Sequence, residues 1–167
     1  VDVLANDALK IAQSVRLVGS LFTTNNLDPN FWTSSVTGSA TASVSGGRVI
    51  LNTLLTSGSS ASIQSLRRGR LIGDAPNEYQ SVNRCPTQLG SVTAHWGAYD
   101  STDGFFFELA ENTLSVAFRA NGVNTKVQSN ATNGFNGQLG QIYSPGVSAH
   151  QYLIAWDVVN THFSVDG

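Results

Sequence analysis

Leu114-Ser-Val-Ala-Phe-Arg-Ala-Asn-Gly-Val-Asn-Thr-Lys-Val127 decides how the rest of the chain is read. Leu114, Val116 and Phe118 alternate with Ser115, Ala117 and Arg119, the period of a strand with one buried face. Asn121-Gly122 then supplies two residues that tolerate positive φ, as a tight hairpin turn requires, and Val123 to Val127 return as the second strand. An antiparallel hairpin is predicted, and an all-β chain with it.

The same texture extends in both directions. Asp103-Gly104 predicts a turn between the run ending at Tyr99 and the run ending at Leu109, and Val159-Asn160 joins Tyr152-Leu-Ile-Ala-Trp156 to His162-Phe-Ser-Val165. Working outward from residue 27, Gly, Asn, Asp and Pro break the chain at short intervals, which is the punctuation of a sandwich or barrel. Strands are predicted over residues 41–44, 48–54, 60–64, 78–84, 91–99, 104–109, 113–119, 123–129, 151–158 and 161–165. Phe31-Trp32, following Asp28-Pro29, reads as an anchor at the entry to this β region.

Composition agrees. The 167 residues are 41% apolar and only 12% charged, too few charges for exposed amphipathic helices and enough apolar mass for a single core. A net charge of -2 gives no general attraction to nucleic acid or to an anionic membrane. No apolar run approaches the length needed to span a bilayer, and a signal-peptide layout is absent from residues 1–26. The single cysteine, Cys85, rules out an internal disulfide and reads as an ordinary buried or half-buried thiol.

Residues 1–26 differ in texture from the remainder of the chain and form a predicted helical or extended arm, with residues 27–167 as the β-sandwich. Val3, Leu4, Leu9, Ile11, Val15 and Leu17 are spaced loosely as on a helix over residues 3–18, acidic at its start and basic at its end. Such a helix is marginal alone, so its apolar side docks on its own sandwich or on another chain. At the other end, Asp166-Gly167 is a turn signal with no return strand behind it, and the first residue is Val. The expectation is a processed or partial segment whose sheet continues in a parent polypeptide or borrows a strand.

The last eighteen positions, His150-Gln-Tyr-Leu-Ile-Ala-Trp-Asp-Val-Val-Asn-Thr-His-Phe-Ser-Val-Asp-Gly167, resemble the penultimate hairpin of concanavalin A-like jelly rolls. There a Tyr-x-Ile-x-Trp strand is followed by a turn and a Phe-x-Val-Asp-Gly strand. A second stretch, from Ala94 through Gly97, Asp100, Phe106-Phe-Glu108 and Leu114 to Arg119, is similar to a pattern of structural proteins in tailed-phage particles. The similar regions run from Arg67 to Gly167. The resemblance implies an antiparallel jelly-roll β-sandwich and a virion component of tail, baseplate or head surface. It also implies a homo-oligomer that contacts other virion proteins.

Catalysis is not expected. The carboxylate pattern Glu-x-Asp-x-(x)-Glu of glucanases with this fold has no counterpart, and Glu108 and Glu111, three apart across a turn, face opposite ways on an extended strand. No Gly-x-Ser-x-Gly elbow or phosphate-binding Gly-rich loop with lysine occurs. His95, His150 and His162 lack metal-ligand spacing, and Asp100, Asp103 and Glu108 lack the oxygen density of a calcium loop; Asp103 is expected to shape its turn. No catalytic, cofactor or metal residue is therefore assigned. Two groups remain as candidate contacts. Trp96 and Tyr99 offer rings for a host-surface glycan, the alternative to a purely structural role, with Trp96 equally readable as core. Arg67, Arg68 and Arg70 form the one concentration of charge and read as a solvated strand end or as an interchain contact, with nucleic acid disfavoured by the acidic whole.

Overall fold

In a computed structural model, residues 18–68, 77–86, 91–128, 146 and 148–167 are described. The predicted helix over residues 3–18 lies outside them except for its last position, and the described residues contain strands, turns and no helix. The described residues form eleven strands in this order: β1 (Trp32–Thr37), β2 (Thr41–Ser45), β3 (Arg48–Asn52), β4 (Ser60–Ser65), β5 (Asn77–Asn83), β6 (Thr93–Tyr99), β7 (Gly104–Ala110), β8 (Thr113–Ala120), β9 (Val123–Gln128), β10 (His150–Trp156) and β11 (Thr161–Val165). Every pairing is antiparallel. The chain divides into two compact units, residues 1–70 and 71–167.

In the second unit, β6-β7-β8-β9 form one sheet in chain order and β11-β10-β5 form another. Alternate side chains of both sheets meet in one core. Trp96, Phe107, Leu109 and Leu114 come from the first sheet, Tyr152 and Ile154 from the second, with Tyr79, Phe105, Trp156, Phe163 and Val165 packed around them. Trp96 and Phe107 are cross-strand partners whose rings stack 5.9 Å apart, and Tyr152 meets them edge-on at 4.8 and 5.1 Å. Offset and edge-to-face contacts of this kind add about 0.5–1.5 kcal/mol each beyond the area they bury. The alternation expected for Tyr152, Ile154, Trp156, Phe163 and Val165 is the one observed.

Hairpin turns explain why the first sheet runs in chain order. Asn121-Gly122 is a two-residue loop with both φ positive, at 51° and 78°, as its sequence requires. Glu111-Asn112 makes the same turn between β7 and β8, with φ of 49° and 65°, although its sequence gives a weaker signal. Asp103-Gly104 departs from expectation: Gly104 opens β7 opposite Tyr99, and the turn is the four residues before it. There Asp100 Oδ1 accepts hydrogen bonds from the Thr102 and Asp103 amides, at 2.8 and 2.9 Å. Asp157 does the same for Val159 and Asn160 between β10 and β11, and those two bonds hold its carboxyl below the ordinary aspartate value. In both turns the first residue of the loop does the shaping.

The first unit has two ladders, β1 with β4 and β2 with β3. Gly46-Gly47, at φ 59° and 75°, closes the β2–β3 hairpin. The strand β1 was not legible in advance, because Thr33-Ser-Ser-Val-Thr37 lacks an apolar alternation. Its start is held at Asp28, whose carbonyl accepts from the Phe31 and Trp32 amides. Only Val44 among the described apolar side chains of this unit is buried. Leu21, Val36, Ile50, Leu51, Leu54, Leu55 and Leu66 are all exposed, from 44% to 81%.

The core's dependence on close aromatic packing predicts that Phe107→Ala lowers stability by about 3–5 kcal/mol in urea titration. Gly97→Ala is also costly, because a Cβ there meets the Phe105 carbonyl at 2.3 Å and Phe106 Cα at 2.6 Å. Backbone cannot yield that far, so the loss exceeds the roughly 1–3 kcal/mol of ordinary overpacking.

Candidate functional site

The face of the β6–β9 sheet turned away from the core carries the second unit's concentration of polar chemistry. Register puts His95 opposite Glu108 and Glu108 opposite Ser115, while Gly97, Phe106, Ala117 and Lys126 form the adjacent row. Glu108 is buried at 5% exposure, yet both its oxygens are engaged. Oε2 lies 2.8 Å from His95 Nε2, and Oε1 accepts from Lys126 Nζ at 2.6 Å. Lys126 reaches diagonally over β8, where Ser115 and Ala117 are small enough to let it pass. Because a carboxylate only accepts, the proton of this bond sits on His95 Nε2.

Burial pushes the Glu108 carboxyl up, but the bonds and charges of Lys126 and His95 outweigh it, and the group is held below the ordinary glutamate value. A carboxylate pinned in its ionised form accepts charge and donates no proton. It is suited to fixing three strands in register and poorly suited to general acid catalysis.

Beside this network is a second cluster. Phe106 is fully buried on this outer face because other side chains roof it. The Tyr99 ring lies 4.8 Å away, the His95 ring 5.1 Å, and the Arg119 guanidinium sits 5.2 Å above Phe106 and 5.5 Å from Tyr99. Arg119 is fixed in turn by Asn124 Oδ1 at 2.7 Å and the Asp100 carbonyl at 2.6 Å. Burial raises the Tyr99 hydroxyl pKa and the Arg119 charge moderates it. Asp103 Oδ1 accepts from the Asn121 amide at 3.2 Å, so the β6–β7 and β8–β9 turns are tied together.

No family model, curated protein or solved structure matches the chain.

The residues singled out from sequence fall in different places. Trp96 and Tyr99, three apart on β6, face opposite sides of the sheet: Trp96 is 9% exposed within the core, and Tyr99 belongs to the outer cluster. The core reading of Trp96 is the one its packing fits. Arg67 stacks 5.1 Å from the Phe31 ring in the first unit, Arg68 is nearby in sequence, and Arg70 lies outside the described residues. Among the described residues, no group of three His, Cys, Asp or Glu side chains has metal-binding geometry. His150 Nδ1 pairs with Asp166 Oδ2 at 2.6 Å, and Asp166 Oδ1 takes the Gln151 amide, which closes the end of the β10–β11 ladder and lowers the Asp166 pKa. Cys85 is half-buried against the core, and burial raises its thiol to about 11, as fits an unreactive side chain.

The Glu108–His95–Lys126 network was missed in sequence because its members are far apart in the chain. The available signal was the register of two hairpins, which sets His95 and Glu108 opposite each other once the turn is placed at residues 100–103. Since Glu108 is depressed when folded, the unfolded chain takes up a proton first as pH falls below about 4.5, and stability drops on the acid side. Glu108→Gln is expected to flatten that acid limb, followed by urea unfolding from neutral pH down to about pH 3. An unchanged limb would mean that the carboxylate is not held as described.

Proposed function

We propose that the chain is a non-catalytic structural component of a bacteriophage particle, in tail, baseplate or head surface, built as a concanavalin A-like jelly-roll sandwich and held in place by other copies and other virion proteins. The observation that carries this reading is the apolar surface of the first unit. Seven large apolar side chains are 44% to 81% exposed there against one that is buried, Val44. Two-stranded ladders with so thin a core are marginal in water and gain stability when another surface covers them. The resemblance of residues 94–119 to structural proteins of tailed-phage particles supplies the setting, and the pinned Glu108 supports a role without proton transfer.

Carbohydrate recognition is the second reading. What favours it is the gathering of Tyr99, His95, Arg119 and Asn124 at one end of the outer face, a set of ring edges and planar donors suited to sugar hydroxyls. Loss of glycan-array binding on Tyr99→Ala, with unfolding unchanged, supports that reading; no binding by the unaltered chain contradicts it.

Quantitative mass spectrometry of purified particles is expected to find the chain at a fixed ratio to the major capsid and tail proteins. Its absence from particles would contradict the structural assignment.

A further inference from the structure

We propose that β1 pairs with β1 of a second copy of this chain across a two-fold axis, joining two β1–β4 ribbons into one four-stranded antiparallel sheet. The inference rests on the assembly reading above and adds the surface, the partner and the register. Among the described strands, β4 is the only one paired with β1. The Leu66 amide donates to the Phe31 carbonyl at 2.9 Å, which makes those opposite residues a hydrogen-bonded pair. Antiparallel ladders alternate, so Thr33, Ser35 and Thr37 direct their backbone groups toward β4, while Trp32, Ser34 and Val36 direct theirs to the other edge.

That edge carries none of the usual protections. Natural edge strands are blunted by charge, proline or a bulge. In the second unit the outermost strands β5, β6, β9 and β11 carry Glu78, His95, Lys126 and His162. By contrast, Trp32-Thr-Ser-Ser-Val-Thr37 has no ionisable residue and no proline, its register with β4 is continuous, and Thr33 through Thr37 are all exposed. β4 is also uncharged, but its alternate residues Ala61, Ile63 and Ser65 are half-buried, so β1 is the more accessible strand. A strand without charge meets an identical copy without repulsion. The described part of this unit adds only Asp28, Arg48, Arg67 and Arg68, all outside β1.

Symmetry and hydrogen bonding fix the register. A two-fold axis perpendicular to the sheet pairs residues of the same face, so the axis passes Ser34 or Ser35 near the strand centre. With Ser34 on the axis, the Trp32 amide must donate across the interface, yet it already donates to the Asp28 carbonyl at 2.9 Å. With Ser35 on the axis, Ser34 and Val36 exchange bonds with Val36 and Ser34 of the second copy, using only outward-facing groups. Thr33 then stands opposite Thr37, a favourable cross-strand pair. Ser35 faces its own copy as a non-hydrogen-bonded pair, with Cα atoms about 4.5 Å apart, inside the range a disulfide spans.

The test is Ser35→Cys in a Cys85→Ser chain, oxidised mildly and run on a non-reducing gel, beside Ser62→Cys on exposed β4 as control. A covalent dimer of twice 17.7 kDa is expected at least about tenfold faster for position 35. Adding Ser34→Pro removes an outward donor while sparing the β1–β4 bonds, and is expected to abolish the crosslink with the circular dichroism unchanged. Equal crosslinking at positions 35 and 62, or a light-scattering mass of 17.7 kDa at every concentration, would overturn the pairing. A monomer that is nevertheless present in particles refutes the β1 contact alone; a dimer absent from particles refutes the particle assignment alone.

Discussion

The packing of Trp96 on Phe107, with Tyr152 against both, is the contact on which the second unit depends. It is the place where the β6–β9 sheet and the β5-β10-β11 sheet share side chains that water does not reach. Each ring is delivered by ordinary strand alternation, and the register of the β6–β7 hairpin sets Trp96 opposite Phe107. That register follows from a turn at residues 100–103 closed by Asp100. A local hydrogen-bonding preference of one aspartate therefore decides which aromatic faces the core and which faces out.

The outer face is organised by the same register and a different physics. Glu108 stays ionised under a cover of side chains because Lys126 pairs with it and His95 hydrogen-bonds to it, and Phe106 stays dry because Tyr99, His95 and Arg119 cover it. Gly97 is required where Phe106 crosses β6, since no Cβ fits there. These contacts tie β6, β7, β8 and β9 together on the outer face. The first unit is the reverse case: its strands are well paired but its apolar side chains, Leu54 and Leu55 among them, remain in water. One unit carries its own core, and the other shows only Val44 buried among its described apolar side chains.

Much of this was legible in the sequence because strands and tight turns are local. Asn121-Gly122 placed the β8–β9 hairpin, and the Tyr-x-Ile-x-Trp alternation placed the inward residues of β10. Two things were not legible. β1 carries hydroxyls where a half-buried strand usually shows apolar residues, so its pattern gave no period to count. Asp103-Gly104 looked like the turn itself, whereas Gly104 is needed for the close approach of Tyr99, and a Cβ there meets Tyr99 Cα at 2.4 Å. The charge network depended on that turn's placement and on a lysine two strands away, so it became visible only with the register known.

Hydrogen exchange measured over a series of protein concentrations tests the central contrast most directly. Strong, concentration-independent protection is expected in β7, β8 and β10, and weaker protection across residues 32–65 that rises with concentration as copies meet. Residues 32–65 protected as strongly as β7 in the most dilute sample would contradict it, because the first unit would then be stable without a partner.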